Sequence, residues 1–414
     1  MISGYTLKKH IIMLLMLSSF STQAYQLNDK LELAGFARAV AGYLESDGDI
    51  LNNYQDEVTL GEQSLLALQP TFRFNEQLSV TGQFLAHSNS DRESGTDWLY
   101  LSYRPGNHWH FRAGKLRMPS FAYSDSIDVG YTYPWITAPI QVYNNYLFPT
   151  YNGISGEYSY AGRNFALTLE GYYGYFDGDI FMAGSRVDVG AKVSDITGLM
   201  LNLKSHNFDL RLSYHTGYNE TDIPQLDPLR QALRQANFNT SADTLESDGD
   251  AAFYNVSLGY DTLSSFYRAE WIRAETEFDL APSLEGYYFS AGHMISDWTI
   301  HLTYGSSSYS DVKANEELRP LLANPDPQTN PLFPVAAGYY QLFDTVPNGS
   351  LDTYTLGARW DFELNMALKA EVTYLNETAP RSGFFGSNFA GSTPTDPGDE
   401  KSATLYQLAW EWIF

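Results

Sequence analysis

Chemistry in this chain has to come from carboxylate, hydroxyl, amine and imidazole groups, because its 414 residues include no cysteine and hence no thiol nucleophile, thiolate metal site or disulfide framework. The pentapeptide ESDGD stands at 45–49 and again at 246–250, and DGD recurs at 177–179. Asp47, Asp49, Asp248 and Asp250 are hard oxygen ligands that could hold Ca²⁺ or Mg²⁺. No calcium-loop spacing with a closing bidentate Glu accompanies them, and Asp-Gly is above all a turn former. Of the eight histidines only His108 and His110 stand close together, and a pair flanking Trp109 reads as an interface feature. There is no G-x-S-x-G elbow, no H-E-x-x-H and no phosphate-cradling glycine loop. The expectation is no catalytic residue and no cofactor beyond a loop-bound divalent ion. An enzyme assembled from groups on separate elements stays as an alternative.

The elements that must carry these groups alternate apolar and polar residues. In SLLALQPTFRF, Leu66, Leu68, Phe72 and Phe74 share one face while Gln69, Thr71 and Arg73 share the other. FDLRLSYHTGY sets Leu210, Leu212 and Tyr214 against Arg211, Ser213 and His215, and LYQLAWEWIF gathers Tyr406, Leu408, Trp410, Trp412 and Phe414 on one side. This is the period of a strand. Counting such segments gives about 16 strands, each near the roughly 9–11 residues of a tilted membrane strand. They include 62–74, where Pro70 forfeits a ladder bond, 164–176, and 195–204, whose start is indistinct. Every second connection is very short, as in NEQ, AGR and ELN; most of the others are long, at 44–61, 119–149, 219–250, 309–351 and 379–401. A soluble sandwich has no reason to gather its long loops at one end. The fold class expected is all-β: a transmembrane antiparallel up-and-down β-barrel with short periplasmic turns and long extracellular loops. It must be closed, because backbone groups in lipid find partners only inside the structure.

Residues 1–24 have the layout of a secretory signal peptide: Lys8, Lys9 and His10, the apolar run IIMLLMLSSF, then small residues at Thr22 and Ala24. The run is shorter than the roughly 20 residues of a spanning helix, which leaves 25–414 as the barrel. The chain holds 25 Lys and Arg against 49 Asp and Glu, a net charge of −24, so a nucleic-acid partner is not expected. Its 31 Tyr, 24 Phe and 8 Trp suit the aromatic girdles of a lipid-facing barrel.

A signal peptide, this rhythm of short turns and long loops, and a last strand ending in Phe414 resemble the Gram-negative outer-membrane porins. The resemblance spans the mature chain and rests on architecture and the end signal. It implies integral insertion in the bacterial outer membrane after cleavage, contact with lipid and lipopolysaccharide, whose phosphates the acidic loops could bridge through a metal, and a homotrimer. It implies recognition of Trp410, Trp412 and Phe414 by the barrel-assembly machinery, and passive diffusion of small hydrophilic solutes through a water-filled channel. It also implies that the loop 119–149, rich in Pro and aromatic residues, folds inward and constricts the bore; a lid or a trimer contact is the alternative. Arg38, Arg73, Arg112, Arg211 and Arg359 fall on inward faces, with Lys115 and Arg117 at the loop's base and Asp125 and Asp128 on the loop as acidic lining. Charges at the narrowest point set selectivity. A small inward basic excess favours anionic or zwitterionic solutes, unless the groups are ion pairs. The rival reading is a non-conducting barrel that displays acidic loops for adhesion or surface ion binding.

Overall fold

The computed structural model describes residues 25–46, 49–89, 94–143, 149–182, 187–221, 223–344, 346, 349–379, 382, 385–386 and 401–414. The signal-peptide expectation for 1–24, Asp47, and residues 144–148 of the long third loop lie outside them.

Sixteen long strands close into one antiparallel barrel: β1 Leu31–Glu45, β2 Leu65–Arg73, β3 Leu78–His87, β4 Gly95–Tyr103, β5 Trp109–Arg117, β6 Thr150–Ala161, β7 Ala166–Met182 and β8 Val187–Ser205. They continue with β9 Phe208–Thr221, β10 Gly249–Asp261, β11 Ser265–Thr276, β12 Leu284–Ile295, β13 Trp298–Tyr309, β14 Ser350–Glu363, β15 Met366–Ala379 and β16 Ser402–Ile413. Each strand pairs with its neighbours in sequence, and β16 pairs with β1 to close the ring, Trp412 opposite Ala37 and Thr404 opposite Glu45. The strip Tyr25–Asn28 folds back on the start of β1. Beyond the last ladder pair, Phe414 exchanges both backbone hydrogen bonds with Gly35, and its ring fills the space where a side chain on Gly35 would stand.

Alternation decides the two faces. On β13, Leu302 is 64% exposed on the outside while neighbouring Thr303 is 7% exposed on the inside. The outer belt is apolar and aromatic from Leu66 and Phe84 round to Trp298, Trp360 and Leu408. Trp410, Trp412 and Phe414 stack along this outer side, with Trp412 and Phe414 ring centroids 4.4 Å apart. Trp412 is nonetheless nearly buried, because it lies across from the small Ala37.

The short turns place Asn365, His206 and Ser296 in the left-handed region, and Asn75 Oδ1 accepts the Gln77 and Leu78 amides at 2.9 Å in the first of them. Pro70 sits inside β2 as expected, and the β2–β3 ladder skips Gln69 and Pro70. Two expectations need correction. β8 begins well before residue 195, because a bulge around Asp195 (φ 52°) switches the buried parity from Ala191 and Val193 to Ile196 and Met200. Asp177–Asp179 therefore lie in β7, opposite Gly190–Lys192, and not in a loop. At the long-loop end, Asp227–Gln235 and Asn239–Asp243 form helices that pack with Glu316–Ala323 and Phe333–Asp344 of another loop around Leu233, Leu245, Leu318 and Tyr339.

Candidate functional site

The connection from β5 to β6 runs into the barrel and is tied to its wall by hydrogen bonds. Its Pro and aromatic content favours packing over solvation: Phe121, Tyr133, Trp135 and Val142 form a cluster with Ile272, Leu284 and Tyr288 of the wall. Short helical turns at Ser124–Ser126, Gly130–Thr132 and Ile140–Tyr143 shape it. At its start, Arg211 donates to the Pro119 carbonyl (2.6 Å) and Ser213 to that of Ser120 (3.2 Å).

Glu270 on β11 holds both legs of the loop. Its Oε1 accepts the Ala122 amide (2.8 Å) and Asn255 Nδ2 (2.7 Å), and its Oε2 accepts the hydroxyls of Tyr143 (2.5 Å) and Tyr288 (3.1 Å). Burial, and then the Glu270 carboxylate, push the Tyr143 phenol well above its usual range, so it stays a donor. The middle of the loop is held on the far wall. The Ile136 and Thr137 amides donate to Glu371 (2.8 and 3.3 Å), Arg38 donates to the Ile136 carbonyl (2.7 Å), and Trp135 Nε1 donates to Thr303 (2.9 Å).

The loop is thus bonded to the inner face from β9 round to β1. On the inner face of the remaining wall, Arg112 on β5 is ion-paired with Glu170 on β7 and donates to Ser155 (3.0 Å). Asp125, exposed on the first helical turn of the loop, stands near enough for its charge to act on both Arg112 and Glu170. Toward the short-turn end, Arg73 pairs with Glu32 (2.7 Å), Lys204 with Asp209 (3.1 Å), Arg268 with Asp261 (2.6 Å) and Arg359 with Asp361 (2.7 Å).

The other candidates are distributed differently from the sequence reading. Arg38 lies behind the loop, buried against Glu411 at 3.3 Å, and does not line the bore. Arg117 and Asp128 form a buried clamp at the loop's base, completed by Asp97 at 2.8 Å and by the Trp98 ring. Lys115 pairs in register with Leu99 and so belongs to the outer face, where Nζ donates to the Thr96 carbonyl (2.9 Å); residues 109, 111, 113 and 115 share that parity. Arg211 binds the loop's first carbonyl, and Arg359 donates to Tyr131 and Tyr133 carbonyls and stacks on the Tyr131 ring. The basic excess is thus largely spent on pairs and on the loop. Asp49 is engaged by Lys401 (2.5 Å), Asp250 opens β10, and Asp248 precedes it. Among the described residues no three Asp, Glu or His side chains gather as a metal site would require. Glu270, Lys369 and Glu371, inward by the same strand parity, grip the loop, which no sequence spacing shows; Glu411 shares the polar face of the last strand.

No protein-family model and no curated protein matches the chain. Solved structures do match in fold. The outer membrane channel DcaP of Acinetobacter baumannii aligns with TM-score 0.55 at 11% identity over 95% of this chain and 100% of that one. An anion-selective porin from Comamonas acidovorans gives 0.54 at 12% identity over 93% and 99%. OmpT of Vibrio cholerae, an outer membrane protein solved in a trimer form, gives 0.50 at 11% identity over 93% and 99%. The chain has the fold of the 16-stranded outer-membrane porins.

Proposed function

We propose that this chain is an outer-membrane porin, a homotrimer in which each barrel passes small hydrophilic solutes by diffusion. The observation that carries the reading is the loop folded inward and hydrogen-bonded to the wall of a closed barrel whose outer belt is apolar and whose inner face carries charged pairs such as Arg112–Glu170. An apolar belt on a closed sheet is stable against lipid tails, and a polar interior suits water. Charged groups at a narrow point discriminate among solutes. Because Arg112 is ion-paired with Glu170, the arrangement favours zwitterionic over purely anionic solutes. Neighbours in fold described as a channel and as a porin support conduction, and the trimer form of another supports the assembly. Trp410, Trp412 and Phe414 are proposed as the strand read during barrel assembly. Ser213, His215 and Tyr172 are hydrogen-bonded in a chain (2.9 and 2.5 Å), but they lie beneath the loop's first leg, which supports packing and not nucleophilic chemistry.

Planar-bilayer recording tests the reading. Steady ohmic conductance in threefold steps is expected from purified protein; insertion without conductance would replace it with the display alternative.

A further inference from the structure

We propose that Lys369 is the positioning residue that sets the aperture, in a cradle that barrel closure completes. This rests on the channel reading. Lys369 projects inward from β15 and is fully buried. Its ammonium donates to three carbonyls of the inward loop, Gly130 (2.8 Å), Tyr133 (2.7 Å) and Trp135 (2.8 Å), and contacts Glu411 Oε2 at 2.7 Å. An ammonium has three protons, so the three loop carbonyls account for its donor capacity, and Glu411 supplies the counter-charge. Those carbonyls all belong to the stretch that follows Asp125 and Asp128, so the same contact fixes how far the acidic turn stands from Arg112.

Lys369 and Glu411 stand on one side of the closing seam, and the groups that complete their cradle reach across it. Glu411 is on β16, and it is shared with Arg38 on β1, whose guanidinium also donates to Ile136 of the loop. Thr137 likewise bridges the two sides, donating to Gln407 on β16 (3.0 Å) and accepting from Gln63 just before β2 (2.7 Å). Before β16 meets β1, Glu411 has Lys369 alone as its counter-charge and Thr137 lacks Gln63, so the cradle is incomplete. Full docking of the loop therefore follows closure. Gly130 is the loop's own part of the contact: a Cβ there would run into the Glu411 carboxylate and the Arg38 guanidinium.

The test uses Lys369→Met and, from the loop side, Gly130→Ala, which disturbs the same contact without changing any strand residue. Both are compared with the parent protein by single-channel recording and by limited proteolysis of the detergent-folded barrel. The expected result is loss of the single steady conductance level, replaced by larger fluctuating steps, together with new cleavage within residues 119–143. The double variant should do no more than either single one, because both act through one contact. Steady parental conductance and a protected loop in Gly130→Ala would overturn the proposal, as would additive effects in the double variant. A parent that does not conduct at all would defeat the channel reading alone, and the cleavage pattern would still decide whether Lys369 holds the loop.

Discussion

Arg112 and Arg73 both face inward, yet their settings differ. The Arg112 side chain is 20% exposed and paired with the largely buried Glu170, whereas the Arg73 side chain is 47% exposed beside Glu32 near the short-turn end. An exposed pair is screened by salt and contributes little to a local field. Arg112→Gln should therefore shift the reversal potential in a salt gradient toward cations, because Glu170 and Asp125 lose their counter-charge; Arg73→Gln should shift it much less. Equal shifts would show that the narrow zone lies elsewhere. Glu270→Gln keeps the shape of the hub but sets an amide NH₂ against donors. Leaving one donor there without an acceptor should cost about 1–3 kcal/mol, read as a lower temperature for loss of the compact folded form in SDS. The inward parity of these side chains was legible in the sequence. Their partners were not: Arg117 finds Asp97 and Asp128, and Arg38 finds Glu411, across distances in sequence that no spacing rule covers.

Strands were easier to read than loops, and the reason is periodicity. A strand at a lipid boundary repeats every second residue over its whole length, so β9, β13 and β16 are visible in the sequence alone. The repeat fails where a bulge adds a residue, as at Asp195, and there the strand seems to begin late while its first half is taken for a loop. The helical cap was largely illegible. The sequence suggests one short helix in DPLRQALRQANF, and the structure adds partners from a loop about 80 residues away, Leu318 and Tyr339, that give the helix a core. Helices of this length are marginal on their own. Leu233, fully buried in that core, should lose about 2–5 kcal/mol of local packing on replacement by Ala. Leu233→Ala is expected to open residues 223–248 and 310–344 together to protease while the barrel stays folded; cleavage of one loop without the other would show that the cap is not one cooperative unit.

At the level of the whole molecule, closure is the event on which the rest depends. Phe414 packs over Gly35 and continues the β16–β1 seam through paired backbone bonds. A β-branched side chain at that position would displace the ring, so Gly35→Val should slow or prevent formation of the SDS-resistant barrel; folding at the parental rate would show that the terminal ring is dispensable for closure. The sequence by itself determined a sealed antiparallel barrel, the end on which its long loops lie and, apart from the first half of β8, the face its strands turn outward. It could do so because those properties repeat along the chain with a period of two and are enforced locally by what backbone and side chains can tolerate in contact with lipid. Only the tertiary structure decided which inward charges face the bore, which are consumed in holding the loop, and that two loops share a helical core. Those are contacts of the inward loop and of residues on different strands, and they have no local signature: Arg38 meets Glu411 only across the β16–β1 seam, and the loop meets Glu270 and Glu371 only after it has turned inward.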